Sequence, residues 1–415
     1  MTAAPSCSGL DADGSVGFDE PIPEDPVIEA GLTKADSFLL SHDIRSAQDA
    51  FVNLTSLRPE AANAQIGSAL TRLLLLPEHT EAQALYTLIG GQTMDAQEAL
   101  YSDDGLLALY ARQVDQLEIE EEYDRVLPFT LAELEDPSLL AAQLNPNLSI
   151  NLVFDQLLRL VIEIDEIATA MEQGLNNDRF ERFDFPQGTF HGRTFLGLRR
   201  SEVHALAGVC RLAIAASLWA GAYDWPMTAG QLSADVPLQD RLDAFNKDVF
   251  TNIKAPERLV LAEGQLSKAL EHFQSAIIEG VFSDIPGSLN WKALDGPEIE
   301  GLTAFLGDLI LSLQGPTPIT TNEPIEANLK ALFENRTLTQ EDNLLLPPND
   351  NTPDTHINYN ALEALLLEGI LTPYCPLDPN AQNPTCPAFF SEGPATAWPK
   401  ALENLDQSFA NDYGW

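Results

Sequence analysis

A ladder of small and aromatic residues near the amino terminus restricts the first folded segment to a pair of antiparallel helices. Within the window 27–60, the ladder positions follow one another at spacings of three, nine, four and eight residues, at Ala35, Phe38, Ala47, Phe51 and Pro59. A small residue lets two helices approach closely, an aromatic side chain fills the remaining gap, and a proline cannot continue a helix. The pattern therefore predicts a helix–turn–helix unit that ends at Pro59.

This ladder resembles the tetratricopeptide repeat, a helix pair that stacks with its neighbours to make binding and scaffolding surfaces. The sequence departs from the repeat pattern at Leu54, where a small residue is usual. It departs again at Gly31 and Lys34, where large apolar residues are usual. The resemblance implies an all-helical fold and a binding role, and the departures argue against a regular superhelix.

Helical periodicity continues beyond this unit. A second helix pair is predicted at 61–76 and 80–89, separated by Pro77, with Thr80 and Gln83 as a capping box. Further helices are predicted from apolar spacing and from start and stop residues at 95–101, 106–117, 131–144, 150–175 (capped by Ser149), 201–223 (capped by Ser201), 256–273, 298–313, 325–333 and 360–366. The predicted fold class is all-α, with packed antiparallel helix pairs, one short β-hairpin and an irregular, disulfide-stapled C-terminal tail.

The same pattern divides the chain into three parts. Residues 1–26 read as a flexible acidic tether, and residues 27–370 as a single helical domain with a hairpin insertion at 176–200. Residues 371–415 read as an irregular tail rich in Pro and Asn. The segment 203–223 is the most apolar, but it contains His204 and Arg211, which favours a buried core helix over a membrane span.

The charge balance limits the partners that this chain can bind. The net charge is −41, from 63 acidic against 22 basic residues. Such a surface repels nucleic acid and anionic lipid headgroups. Because salt screens self-repulsion, the composition fits a saline habitat, with ordinary acidic solubilisation as the alternative.

The cysteines suggest an exported protein. Cys375 and Cys386 lie in a Pro/Asn-rich loop, where a disulfide would close a short loop, as expected in an oxidising compartment. Cys7 follows small residues and precedes an acidic stretch, which resembles the end of a bacterial lipoprotein signal peptide, although Ala4 stands where Leu is usual. The hypothesis is that Met1 is an artificial or misassigned start and that Cys7 is acylated. That resemblance implies a protein tethered to the outer membrane, periplasmic or at the cell surface. Cys210 lies inside an apolar helix and is predicted to be a small core residue.

The segment 179–200 holds an unusual concentration of Phe and Arg, with five of each type. A turn signal at 186–188 and alternating flanks predict a β-hairpin. One interpretation is a binding lip for carboxylate, phosphate or sulfate; the other is a structural hairpin with buried Phe and with Arg paired to the surplus acids. The candidate ligand-binding residues are Arg179, Arg182, His191, Arg193, Arg199, Trp219, Tyr223 and Trp225.

The sequence lacks motifs for familiar chemistry. It has no HExxH or HxH spacing, no GxSxG, no phosphate-binding loop and no dinucleotide fingerprint, so no metal, cofactor or catalytic residue is predicted. The paired acids Glu163 and Glu166 share a helix face, which fits either a solvated surface or a pair of acid catalysts.

The prediction is a non-enzymatic binding or scaffold protein of the bacterial envelope that acts through helix-repeat surfaces on a protein partner. The alternatives are a solute-capture lipoprotein that works with an outer-membrane transporter and, third, a two-carboxylate hydrolase. Solute capture predicts a pocket with Arg193 or Arg199 at its floor and Trp219, Tyr223 or Trp225 as walls.

Overall fold

The computed structural model of the chain is mostly helical in the parts it describes. It describes residues 25–89, 145–177, 180–186, 189, 196–232, 253–281, 296–318 and 325–333, with short strands at 345–346, 356–357 and 371–373. The helices are α1 Pro26–Leu40, α2 Ile44–Leu57, α3 Ala62–Leu75, α4 Thr80–Leu88, α5 Ile150–Leu175, α6 Arg200–Ala220, α7 Pro256–Val281 and α8 Gly296–Ser312. The helical part of the predicted fold class is therefore confirmed.

Strands occupy a small share of the described residues. The strands are β1 Arg182–Phe185, β2 Leu196–Arg199, β3 Thr317–Pro318, β4 Ile325–Ala327, β5 Leu345–Leu346, β6 His356–Ile357 and β7 Leu371–Pro373. They form an antiparallel pair β1–β2, a three-stranded sheet in the order β3-β4-β7, and a pair β5–β6. The predicted pairing of two strands within 176–200 is thus confirmed, with Arg182 opposite Arg199 and Phe185 opposite Leu196.

The helices pack mainly on their neighbours in the order α1, α2, α3, α5, α6, α7 and α8, while α4 packs beside α5. Helices α6 and α7 run antiparallel to each other. Near the end of α6, the carbonyl of Ala222 accepts from the amide of Ala255, and at its start Arg200 meets Glu279. In such an array, an inner helix has a neighbour on each of two sides, and its remaining face lies outside these helix–helix contacts.

The predicted ladder lies in the first of two apolar cores. Ala35, Ala47 and Phe51 are fully buried, and Phe38 packs against them from a partly buried position. Burial on this scale stabilises by about 1.5–3 kcal/mol for a large side chain. The first core joins α1–α3 to the carboxyl-terminal half of α5, to β1 and to the start of α6. The second core joins the end of α6 to α7 and α8.

Two of the three departures from the repeat pattern, at Gly31 and Leu54, compensate for each other. A Cβ atom placed on Gly31 would lie 2.8 Å from Cδ1 of Leu54, so the leucine fills the space that a larger residue at 31 would take. Leu54 is 3% exposed, as expected of a core side chain. The small residue therefore lies on α1 and the large residue on α2, which reverses the usual order of the repeat. The two helices remain closely packed.

Several local predictions are wrong. The segment 325–333 is strand β4 followed by the short 3-10 helix Leu329–Leu332, because β4 pairs with both β3 and β7. The N-cap of α4 is His79 in place of Thr80, and its side chain accepts from the amide of Glu81. The N-cap of α6 is Arg199 in place of Ser201, and α7 runs to Val281, beyond the predicted end at 273.

Other predictions lie outside the described residues. These are the helices predicted at 95–101, 106–117, 131–144 and 360–366, and the tether at 1–26 apart from its last two residues. The stapled tail also lies outside them, apart from β7.

Candidate functional site

The hairpin residues divide between core and surface. Phe180, Phe183 and Phe185 are each less than 5% exposed, and the ring of Phe183 meets that of Phe51 edge-on at 5.9 Å. Arg182 forms an ion pair with Asp184 at 2.7 Å between Nη2 and Oδ2. These contacts match the structural interpretation of the hairpin, in which its Phe side chains enter the core and its Arg side chains meet acids. Arg179, His191 and Arg193 lie outside the described residues.

Arg199 is the exception within this hairpin. Its backbone amide donates to the carboxylate of Glu202 at 2.9 Å, which helps to start α6. Its terminal nitrogens Nη1 and Nη2 are buried, and within the described part of the chain they have no hydrogen-bond partner. A buried guanidinium without a partner is costly, so an anion within hydrogen-bonding distance of it would be stabilised.

The three aromatic residues of the predicted pocket belong to the second core. Tyr223 and Trp225 are buried, and the ring of Tyr223 packs edge-on against that of Trp219 at 5.2 Å. Trp219 donates from Nε1 to the carbonyl of Leu332 at 2.9 Å, and Trp225 donates to that of Ala220 at 2.7 Å. Burial raises the pKa of the Tyr223 hydroxyl. These side chains have structural roles in closing the end of α6.

The structure does not bring Arg199 together with these aromatics. Arg199 precedes the first residue of α6 and Trp219 lies in its last turn. At 1.5 Å per residue, the helix separates the two ends by about 30 Å. A pocket with Arg199 at its floor and Trp219 as a wall is therefore excluded by the length of α6.

A buried charged cluster lies between the two cores, and we name it the Arg211 cluster after its central residue. Arg211 of α6 is 1% exposed, although arginine is among the residues least often buried. It donates from Nε to Glu172 at 2.6 Å, from Nη2 to Thr169 at 3.2 Å, and from Nη1 to Gln265 at 3.0 Å and to Asp165. The partners come from α5 and α7, so one side chain joins three helices.

Two histidines extend this cluster towards the start of α6. Nδ1 of His204 on α6 lies 2.9 Å from Nδ1 of His272 on α7. Nε2 of His272 contacts Oε1 of Glu172 at 3.3 Å, and Nε2 of His204 faces Oε1 of Glu279 at 3.6 Å. The sequence prediction of His204 as a partnered polar residue in a core helix agrees with this arrangement.

The cluster shifts the protonation of its members. Burial opposes the charged form of Glu172, but the hydrogen bond from His272 and the Arg211 guanidinium outweigh it and lower the pKa of that carboxyl to about 2. Burial, with the nearby charges of His272 and Arg200, lowers the pKa of His204 to about 4. Burial also raises the pKa of the neighbouring Cys210 thiol to about 11, against the opposing charge of Arg211. Cys210 therefore remains a neutral thiol and suits a core position better than a nucleophilic one.

The paired acids of α5 have partners on α3. Glu163 lies 3.3 Å from Nε of Arg72, and Glu166 accepts from another nitrogen of the same guanidinium. The pair thus links two helices. Across the described ranges, no group of three or more His, Cys, Asp or Glu side chains is placed to hold a metal ion.

The exposed side of α6 carries a run of apolar residues that we name the α6 stripe: Val209, Leu212, Ala213 and Ala216. These positions recur at helical spacing and so share one face. Val209 is 55% exposed and Leu212 is 43% exposed. Among the described helices, α6 is the one long and apolar enough to cross a membrane, with a mean hydropathy of 1.5 in its most apolar window. Its Arg211 contacts to α5 and α7 place it as a packed central helix.

Comparisons with known proteins add no relative to this description. No family model matches the sequence, and no curated protein or solved structure matches it significantly.

Sequence reasoning missed the Arg211 cluster, although a signal for it was present. Asp165, Thr169 and Glu172 are spaced by four and three residues, which places them in one row on α5. Arg211 interrupts the most apolar helix of the chain. A polar row on one helix and a single guanidinium on another are complementary, but the pairing becomes visible only when the helices are known to be neighbours.

Proposed function

We propose that this protein is a non-enzymatic binding or scaffold protein that holds a protein partner through its helix array. The observation that carries the proposal is the α6 stripe, where an apolar face remains exposed on the central helix of a strongly acidic chain. Exposed apolar patches of this kind commonly mark interaction sites. The tetratricopeptide-like start of the chain supports the same role.

The charge of the chain defines the kind of partner. With a net charge of −41, a partner approaching the α6 stripe is attracted if its own apolar face is bordered by Lys and Arg. An apolar helix with a basic border would pack its side chains on Val209 and Leu212. Salt would slow the association more than it would speed dissociation, because it screens long-range attraction and leaves the apolar contact intact.

The proposed location is the bacterial envelope. The small residues before Cys7 and the acidic stretch after it support a lipid-anchored protein on the outer membrane, and the spacing of Cys375 and Cys386 supports an oxidising compartment. Metabolic labelling of cells with an alkyne fatty acid is expected to mark the wild-type protein and to leave Cys7→Ser unmarked. Equal labelling of both would remove the anchor from the proposal.

The binding role is tested by placing a photo-crosslinking amino acid at position 212 and, as a matched control, at position 260. Val260 is also an exposed apolar residue, 68% accessible, but lies on α7. We expect position 212 to give one specific adduct whose partner binds the purified protein. Val209→Glu should weaken that binding at least tenfold, while Val260→Glu should leave it unchanged.

Equal weakening by Val209→Glu and Val260→Glu, or adducts of equal yield at both positions, would contradict the proposal. A circular-dichroism melt of each variant separates lost binding from lost folding, because both substitutions lie on exposed faces.

One observation favours solute capture as a second candidate. The terminal nitrogens of Arg199 are buried without a hydrogen-bond partner in the described part, and a carboxylate, phosphate or sulfate would supply one. A thermal-shift screen against sugars, peptides and organic anions tests it, because a ligand at a hundred times its dissociation constant stabilises by about 2.7 kcal/mol. A hit that disappears in Arg199→Ala would favour solute capture over the scaffold role.

A further inference from the structure

The contact between His204 and His272 constrains where hydrogens can lie. Their Nδ1 atoms are 2.9 Å apart, and both side chains are 13% exposed. At that distance one nitrogen must donate and the other must accept, because two lone pairs or two N–H groups facing each other repel. This contact between the two Nδ1 atoms, which we call the inner contact, therefore holds one hydrogen. The Nε2 atoms are the outer nitrogens of the pair.

The outer nitrogens face ionised carboxylates. Nε2 of His272 contacts Glu172, whose negative charge is held by Arg211, and Nε2 of His204 faces Glu279. Both carboxylate oxygens of Glu279 also accept from Nε of Arg200, at 3.2 and 3.1 Å. An ionised carboxylate only accepts hydrogen bonds, so each Nε2 is best matched when it carries a hydrogen.

Counting hydrogens gives the charge of the pair. A neutral imidazole carries one N–H and an imidazolium carries two, so two neutral rings cannot supply two outer hydrogens and one inner hydrogen. One added proton supplies all three. A second added proton would place two N–H groups against each other at the inner contact.

The charges around the two rings favour the addition of one proton to the pair and oppose the addition of a second. Glu172 on α5 and Glu279 on α7 are negative, whereas Arg200 and Arg211 on α6 are positive, and Lys268 on α7 acts on Glu172. Burial together with the charges of His272 and Arg200 lowers the pKa of His204 to about 4, which agrees with rejection of the second proton.

We propose that His204 and His272 form a single-proton joint that fastens α7 to α5 and α6, and that the joint weakens when it loses that proton or gains another. In the fastened state, hydrogens run without interruption from Glu172 through both rings to Glu279. Without the added proton, one ring nitrogen turns a bare lone pair towards a neighbour. The joint makes the packing of α7 dependent on pH.

The acid side of this dependence has a definite sign. In the unfolded chain His204 takes its proton near 6.5, but in the folded protein it does so only near 4. The unfolded state therefore binds more protons in this window, and stability falls as the pH is lowered from 6.5 towards 4. His204→Gln removes the group and should flatten this part of the melting-temperature profile.

The experiment is a nitrogen-15 NMR titration of the intact protein labelled at histidine, with His204→Gln and His272→Gln to assign the signals. We expect three of the four ring nitrogens of the pair to carry hydrogen at pH 5–6, with the fourth protonated only near pH 4. Two neutral rings at pH 5–6, or two fully protonated rings at pH 6, would overturn the proposal.

A melting series from pH 4 to 9 gives a second measurement. Wild type and the control His42→Asn, at a histidine in the turn between α1 and α2, should share one curved profile. Both joint variants should have flatter profiles. Identical profiles for the wild type and both joint variants would overturn the proposal even if the variants fold less stably at every pH.

Discussion

Two interfaces between neighbouring helices, which we call seams, each place an aromatic ring against a glycine. They differ in the residues that surround this contact. Between α2 and α3, a Cβ atom on Gly67 would lie 2.5 Å from the ring of Phe51; between α6 and α7, one on Gly208 would lie 2.7 Å from that of Phe273. The first seam belongs to the first apolar core. The second also carries the Arg211 cluster and the histidine pair.

The difference separates stability from specificity. A glycine that receives an aromatic ring brings two helices close together and buries apolar area, which stabilises either seam. Sliding a helix by one turn exchanges one apolar contact for another, but it would leave Arg211 and its acids unpaired inside the protein. We therefore expect the apolar seam to set how strongly helices associate, and the charged seam also to set how they align.

Arg211→Met is expected to have one of the largest effects, because it removes the guanidinium that pairs with Glu172 and Asp165 in the cluster. Breaking a buried ion pair from one side costs about 3–5 kcal/mol. Urea unfolding at pH 7 measures the loss. The folded carboxyl of Glu172 has a pKa of about 2 against an ordinary 4.5, so its stabilisation is present above 4.5 and lost as the pH falls towards 2.

The gap between the wild type and Arg211→Met should accordingly narrow on acidification to about pH 3, since a protonated Glu172 no longer needs the guanidinium. Phe51→Ala in the first seam is the control. It should lose roughly 3–5 kcal/mol of stability with little pH dependence. A gap for Arg211→Met that stays constant with pH would contradict an electrostatic role for the second seam.

Leu54→Ala is expected to cost about 2–5 kcal/mol through the cavity it leaves beside Gly31. Gly31→Leu alone should also destabilise, because its side chain meets Leu54. The double variant restores the usual sizes of the repeat and should be more stable than the sum of the two losses predicts, by about 0.5–3 kcal/mol. Strict additivity in a double-mutant cycle would show that the exchange of sizes does not couple α1 to α2.

Gly67→Ala and Gly208→Ala compare the two seams directly. Overpacking a core typically costs about 1–3 kcal/mol. We expect that cost at Gly67, where Phe51 is fully buried and held by Phe183. Gly208→Ala should cost less, because Phe273 is only partly buried. Thermal unfolding of both variants decides the order, and the reverse order would mean that the charged seam resists displacement more than the apolar one.

The smallest expected effect is a gain. Gly264 lies within α7, and a Cβ atom added there would meet nothing within 4 Å. Gly264→Ala should stabilise by roughly 0.5–1 kcal/mol because alanine loses less backbone entropy in a helix. A loss of stability in a thermal melt would show that a side chain at position 264 collides with a neighbour on the exposed face of α7.

The apolar parts of this fold were predictable because their signal is local. The ladder at Ala35, Ala47 and Phe51 predicted a helix pair, and the apolar period of 150–175 predicted α5 with its N-cap at Ser149. A helical period of 3.6 residues can be recognised within the sequence of a single segment. Prediction of helix type therefore needed no knowledge of neighbours.

The errors arose where the partner is distant in sequence. Strand β4 has apolar residues that also fit a helix, and pairing with β7 decides its conformation. The supposed grouping of Arg199 with Trp219 ignored the length of the helix between them. The Arg211 cluster needed the adjacency of α5, α6 and α7, which no single segment encodes.

The seam between α3 and α5 has a consequence for the order of folding. Its hydrogen bonds join residues 94 positions apart at Arg72 and Glu166, and 117 positions apart at Asn177 and Glu60. Closing a loop of that length costs entropy before its contacts return any free energy, whereas α1, α2 and α3 meet across short turns. We expect α1–α3 to collapse first and to dock on α5 late, so weakening this seam should speed unfolding and leave the refolding rate nearly unchanged.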